Sequence, residues 1–152
     1  MVSDAYAVFY ELSGSFSYDK QVYGANRQNS VVGRTYSGSL ASYLFGLTAI
    51  ELNYSNVEDI ITENDEVLIT TSGGSARITS TQNRVFTEVY GVGLRQQFAP
   101  NQARIIPMLS LGYAKQFTQG IAEYNIQNVS TSEIEKITIT GDKKRVDSVF
   151  AA

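Results

Sequence analysis

The chain has no cysteine, no histidine and no tryptophan, and only 2 prolines in 152 residues. Without cysteine there is no disulfide framework, no thiolate metal site and no thiol nucleophile. Without histidine, Ser-His-Asp and Cys-His catalysis, imidazole metal ligation and imidazole acid–base chemistry are all excluded. An enzyme here has only carboxylates, Lys, Tyr, Ser and Thr to work with. No run of about 18 apolar residues occurs, so no membrane-spanning helix is encoded. The opening Met1-Val2-Ser3-Asp4 has neither the basic stretch nor the apolar core of a signal peptide. That fits a cytosolic chain or a mature one whose leader has been removed. The net charge of −3 gives no general nucleic-acid footprint.

What is present points to strands. The chain carries 10 Tyr, 7 Phe and 12 Gly, with abundant Ser and Thr, a balance suited to pleated surfaces. Its length is that of one domain, here 1–152. Period-2 alternation beats period 3.6 nearly everywhere. A first strand from Tyr6 to Tyr18 puts Tyr6, Val8, Tyr10, Leu12, Gly14, Phe16 and Tyr18 on one face and Glu11, Ser13, Ser15, Ser17 and Asp19 on the other. A second, about Val31 to Ser42, alternates Val32, Tyr36 and Leu40 with Thr35, Ser37, Ser39 and Ala41. A third starts at Leu47, with Ile50, Leu52 and Tyr54 opposite Ala49, Glu51 and Asn53.

The alternation weakens at Val57, where an acidic stretch of Glu58, Asp59, Glu63, Asp65 and Glu66 reads as an external loop. Ser72-Gly73-Gly74-Ser75 is a hairpin signal. A fourth strand towards Phe98 carries Tyr90, Val92 and Leu94 opposite Gly91, Gly93 and Arg95, and Ala99-Pro100-Asn101-Gln102 is a turn. A fifth alternates Ile105, Pro107, Leu109, Leu111, Tyr113 and Phe117 with Ile106, Met108, Ser110, Gly112, Ala114 and Gln116. A sixth begins near Val146.

Short links at 43–46 and 99–103 alternate with connections around 23–30, 56–84 and 118–145 that are longer or carry strand extensions. Short turns at one end, long excursions at the other, and strands of about 9–11 residues with apolar and polar faces are the pattern of a transmembrane β-barrel. Ser37-Gly38-Ser39-Leu40, Ala49-Ile50-Glu51-Leu52-Asn53-Tyr54, Val89-Tyr90-Gly91-Val92-Gly93-Leu94-Arg95 and Ile106-Pro107-Met108-Leu109-Ser110-Leu111-Gly112-Tyr113 carry a resemblance to the small bacterial outer-membrane β-barrels, the outer-membrane-protein-A-like and opacity-protein-like superfamily. It covers about Tyr6–Phe117. The resemblance implies an all-β fold, an antiparallel up-and-down transmembrane barrel of eight-stranded type in the bacterial outer membrane, with outer-membrane lipids and lipopolysaccharide as partners. Only about six strands are counted here, and the chain ends Phe150-Ala151-Ala152 where the family's mature chains end on an aromatic. A last hairpin is therefore expected to be missing or to be supplied by other subunits of a homo-oligomer.

On that reading Leu12, Phe16, Tyr18, Leu40, Ile50, Leu52, Tyr54, Tyr90, Val92, Leu94, Leu109, Leu111 and Tyr113 face lipid. Glu11, Glu51 and Arg95 form a charge network in the lumen, because buried charges must be paired. Gly91 and Gly93, with no helix after them, mark curvature or a crowded interior rather than a phosphate loop. The acidic stretch lacks the spacing of a calcium loop. Lys143, Lys144 and Arg145, with Arg27 and Arg34, are candidates for lipid phosphate or simply a solvated turn. Enzymes on outer-membrane barrels use a histidine, so the chain is expected to be non-enzymatic, without catalytic residue, cofactor or metal, and to serve a structural, adhesive or lipid-organising role. Two alternatives remain: a soluble lipocalin-like barrel around an apolar ligand, although the Gly-x-Trp of lipocalins is absent, and an oligomeric porin-like assembly.

Overall fold

The computed structural model describes residues 9–71, 74–99 and 104–151. The expected strand start at Tyr6 and Val8, the Ser72-Gly73 turn tip, the Pro100-Asn101-Gln102 turn and Ala152 lie outside those residues. The described chain is all-β, and no helix occurs in it. Eight strands form one antiparallel sheet: β1 Phe9–Tyr23, β2 Asn29–Phe45, β3 Thr48–Glu63, β4 Val67–Thr71, β5 Gly74–Gln97, β6 Met108–Asn128, β7 Ile134–Thr140 and β8 Lys144–Ala151.

The pairing reduces these eight strands to six lanes. β3 and β4 both pair with β5, β3 from Thr48↔Gln96 to Glu63↔Thr81 and β4 from Val67↔Ile78 to Thr71↔Gly74. They are one strand interrupted at 64–66. β7 and β8 likewise both pair with β6, and Gly141 N–H donates to Gly120 C=O at 2.8 Å in the gap between them. The lane order is β1, β2, β3/β4, β5, β6, β7/β8, an up-and-down meander. Among the described residues it is not closed: β1 pairs only with β2, and β7 and β8 only with β6.

Three expectations change. Val57 to Glu63, read as the start of a loop, continues β3, and 121–140 forms the rest of β6 and β7. The expected fifth strand begins at Met108 rather than Ile105, because Pro107 has no N–H to donate to a ladder; its C=O still accepts from Phe98 N–H at 3.0 Å. The β2–β3 link is tighter than anticipated, two residues, with Gly46 at φ +53° in the first central position where a II′ turn demands it.

The sheet is concave towards the odd-numbered side chains of β1, β2 and β3. Ala41, Tyr43, Ala49, Glu51, Gln97 and Ala114 are all buried on that face. The curl is strong enough for β1 to reach β5: Glu11 and Arg95 form an ion pair across three strand-to-strand steps, about 14 Å along a flat sheet.

Candidate functional site

The concave face holds a polar cluster at the end of the sheet marked by the Gly46 turn. Period 2 places Glu11, Glu51 and Arg95 on this face from three different lanes, and the register brings them to nearly one height: Glu11 pairs with Ala41, Ala41 with Glu51, and Glu51 with Gly93, two residues from Arg95. The Arg95 guanidinium forks onto Glu51, Nη2 to Oε1 at 2.8 Å and Nε to Oε2 at 2.8 Å, and its Nη1 reaches Glu11 Oε1 at 3.0 Å. Such bidentate, charge-assisted bonds are the strong kind. Ser110 Oγ donates to Glu51 Oε2 at 3.3 Å and Tyr43 Oη donates to Glu11 Oε2 at 3.1 Å. Gln97 Nε2 donates in turn to Tyr43 Oη at 2.6 Å. Gln97 Oε1 is buried and has no hydrogen-bond partner among the described residues.

The three charges expected to meet do meet. Tyr43, Gln97 and Ser110 were not singled out in the sequence, although Tyr43 follows Ala41 at the strand period and so shares its face. Around its three charges the cluster is a paired network, with Gln97 Oε1 its one buried acceptor lacking a partner among the described residues. Both carboxylates are ion-paired to Arg95.

Next to it, three glycines make a bed for one aromatic ring. A Cβ at Gly112 would lie 2.5 Å from the Phe150 ring and 2.5 Å from the Val92 C=O, and Cβ atoms at Gly93 and Gly91 would come within 3.2 and 3.4 Å of the same ring. Gly91 and Gly93 thus serve a packed interior, an aromatic side chain covering cross-strand glycines.

The convex face is the opposite. Every apolar residue expected to face lipid lies exposed on it, from Tyr113 at 39% to Leu12 at 82%. They share rows across the sheet, such as Leu12, Leu40, Leu52, Val92 and Tyr113. Five tyrosines bound this field in a staircase. Tyr18 pairs with Arg34, two residues short of Tyr36. Tyr36 pairs with Asn56, two short of Tyr54. Tyr54 pairs directly with Tyr90, which pairs with Lys115, two short of Tyr113. The line drops six residues over four strand steps, about 20 Å along the strands against about 19 Å across them, so it crosses the strands at about 45°. Neighbouring rings along it touch: Phe16–Tyr36 at 5.0 Å and Tyr54–Tyr90 at 5.2 Å between centroids.

The chemistry of both faces changes at this line. Between it and the Gly46 end, the convex face carries no charged side chain among the described residues. Beyond it lie all five of the ion pairs outside the Arg95 cluster: Arg34–Glu58 at 3.4 Å, Arg77–Glu66 at 3.2 Å, Lys136–Glu123 at 3.0 Å, Lys143–Glu88 at 3.0 Å and Arg145–Asp147 at 2.9 Å. The concave face turns the other way. Glu11, Ser13, Ser15, Ser37 and Ser39 give way beyond the line to a mixture in which Val57, Ile61, Val85, Tyr124, Ile126 and Ile137 stand among Asp59, Thr87 and Thr118. The small polar wall is knit across β1 and β2 by Ser13–Ser39 and Ser15–Ser37 hydroxyl bonds, both 2.7 Å.

The acidic stretch does not gather into a cation site; no group of three acidic ligands suited to a metal occurs among the described residues. Glu58, Asp59 and Glu63 sit in β3. Asp65 instead clamps the β1–β2 turn, accepting from Gln28 Nε2 and Asn29 Nδ2, each at 2.8 Å, and these bonds hold its carboxyl below the usual carboxylate range. Of the basic candidates, Arg34, Lys143 and Arg145 join ion pairs on the convex side. Lys144, paired with Thr118, takes the opposite face, and Arg27 lies in the β1–β2 turn at φ 55°. No family model matches the chain, and none of the curated proteins matches it.

Proposed function

We propose that the chain is a non-enzymatic outer-membrane β-barrel protein of the eight-stranded type, with a structural, adhesive or lipid-organising role. The observation that carries this reading is the charge-free apolar field bounded by the tyrosine staircase. A line level with a membrane surface crosses tilted barrel strands obliquely, and transmembrane strands tilt by about 35–45°. The 45° tyrosine line is what an aromatic girdle looks like in the frame of the strands. The field's depth agrees: Tyr10 to Tyr18, Tyr36 to Leu44 and Tyr90 to Phe98 are each nine residues, against the roughly 9–11 of a spanning strand. A lipocalin-like barrel would put its apolar face inward, whereas the concave face behind this field carries Glu11, Glu51, Arg95 and a wall of serines. The absence of histidine and cysteine, with both concave carboxylates tied to Arg95, supports a role without catalysis.

The test is refolding from urea into zwitterionic phosphatidylcholine vesicles. Insertion is expected to give a form whose gel migration shifts on heating and in which 10–18, 36–54 and 90–113 resist added protease. A folded chain that stays in the aqueous phase and is cut within those segments overturns the reading.

A further inference from the structure

Directly beyond the tyrosine staircase, on the same convex face, stands a rim of cations. Lys20, Arg34 and Lys115 each follow their lane's boundary tyrosine by one period: Tyr18, Tyr36 and Tyr113. On β8 the rim continues as Arg145, which forks onto Asp147 at 2.9 and 3.1 Å. Lys143 sits 3.0 Å from Glu88 and 5.0 Å over the Phe117 ring. Lys20 and Lys115 are exposed and have no ion-pair or hydrogen-bond partner among the described residues. Lys20, Arg34, Lys115, Lys143 and Arg145 face three carboxylates, Glu58, Glu88 and Asp147, a surplus of two positive charges in a chain whose net charge is −3.

We propose that this rim is a docking surface for the phosphate groups of anionic bilayer lipids in the leaflet on the β1–β2 turn side. The assignment rests on the membrane reading above, which sets the rim at headgroup height. Its placement selects a lipid. The cations track the tyrosine line over β1, β2, β6 and β8 instead of clustering in one pocket, so they meet anions spread along a bilayer surface. Aromatic rings at the interface with basic side chains just outside them match the layering of acyl boundary and phosphate. Lys20 has no carboxylate opposite it, and Lys115, which faces Asp147 across β6 and β8, leaves the ion pair with that carboxylate to Arg145, so those two are the cations positioned to bind.

The test measures lipid retained by the folded chain after extraction from mixed phosphatidylcholine–phosphatidic acid vesicles, by native mass spectrometry. The parent chain is expected to retain phosphatidic acid in preference. Lys20→Gln/Lys115→Gln/Arg145→Gln is expected to lower that preference by about a hundredfold, since each cation near an anionic surface contributes about a factor of several. Equal retention of the two lipids by the parent, or an unchanged preference in the triple variant, overturns the proposal. If the triple variant does not fold, salt on the parent decides: molar salt shortens screening to about 3 Å and should erase the preference, and persistence overturns it. Displacement of phosphatidic acid by millimolar inorganic phosphate would assign the rim to free phosphate and overturn the lipid assignment. A parent chain that does not enter pure phosphatidylcholine vesicles overturns the membrane reading, a failure distinct from the others.

Discussion

Arg95 is the residue on which the concave cluster depends. With its side chain only 12% exposed, it balances Glu51 at 8% and Glu11 at 40%. Removing it leaves two carboxylates facing each other, one of them desolvated. Breaking a buried pair in this way costs about 3–5 kcal/mol, whereas replacing all partners by apolar residues of similar size is often neutral. Arg95→Met is therefore expected to destabilise by that amount in urea titrations of the vesicle-inserted chain, and Glu11→Gln/Glu51→Gln/Arg95→Met to recover most of it. A triple variant no better than the single one would refute the structural role. Gly112 makes a second test at this scale. Its substitution by Ala puts a methyl against both the Phe150 ring and a backbone carbonyl that cannot retreat, at about 1–3 kcal/mol. Phe150→Ala in the Gly112→Ala background should relieve the ring clash and leave the backbone one, which the same titration resolves.

At the scale of the strand, the facing of β1 separates the two environments. Leu12 is 82% exposed. In water, Leu12→Arg at such a position changes stability by no more than about 0.5 kcal/mol. At a bilayer midplane it costs about 2–4 kcal/mol. Ser13→Arg acts on the other face, crowding the wall where Ser13 bonds Ser39. Equal and small effects of both substitutions would argue against lipid on the convex face. The clamp between β3 and the β1–β2 turn predicts a pH effect. Hydrogen bonds from Gln28 and Asn29 lower the folded-state pKa of Asp65. The stability they contribute is present above the unfolded value of about 3.9 and is lost as pH falls through the lower folded value. The protection of the Asn29 and Asn64 amides, their exchange relative to the intrinsic rate at each pH, should therefore be high at pH 7 and fall only below about pH 4. Asp65→Asn should lower it at neutral pH, with the strand cores unchanged.

Much of this was legible in the sequence, because a period of two assigns a face with no further knowledge. The apolar convex face and the meeting of Glu11, Glu51 and Arg95 both follow from counting residues along strands and back from the turns. What period 2 hid was the region beyond the tyrosines. There apolar residues stand on both faces, Ile60 and Phe86 on the convex one and Ile61 and Val85 on the concave one, so alternation loses contrast at Val57 and β3's far half reads as a loop. Pairing also stays invisible to alternation. Nothing in 58–71 or 134–151 taken alone shows that β4 continues β3's lane or that β8 continues β7's. Phe150 on its glycine bed, and Tyr43 and Gln97 in the charge cluster, depend on such cross-strand placement.

For the whole molecule the open edges set the constraint. Along β1, every second N–H and C=O points away from β2 with no strand to meet it among the described residues, and the β7/β8 lane has the same free edge against β6. In hydrocarbon each unpaired group costs several kcal/mol, so an inserted sheet cannot keep either edge bare. Six lanes closing on themselves make a ring narrower than the eight-stranded barrel whose interior is just filled by side chains. Such a ring has no room for Arg95, Glu51, Met108 and the Phe150 ring on one concave face. An inserted sheet would therefore need strands from outside the described residues on both edges. β1 runs from the Gly46 end towards the β1–β2 turn and β8 runs back, so a β8 edge of one copy can join a β1 edge of the next antiparallel without inverting either in the membrane. That is a heterologous contact, and it generates a ring where the rotation between copies closes. This 152-residue chain, refolded alone in detergent, is expected to sediment as an assembly of several copies. Gly14→Pro, at an even-numbered position whose N–H points away from β2, removes a donor from the β1 edge and should shift the distribution towards smaller species. A folded, heat-modifiable monomer that sediments as one chain at all concentrations would show that the edges need no partner, and with it that the sheet does not stand in hydrocarbon as an open sheet.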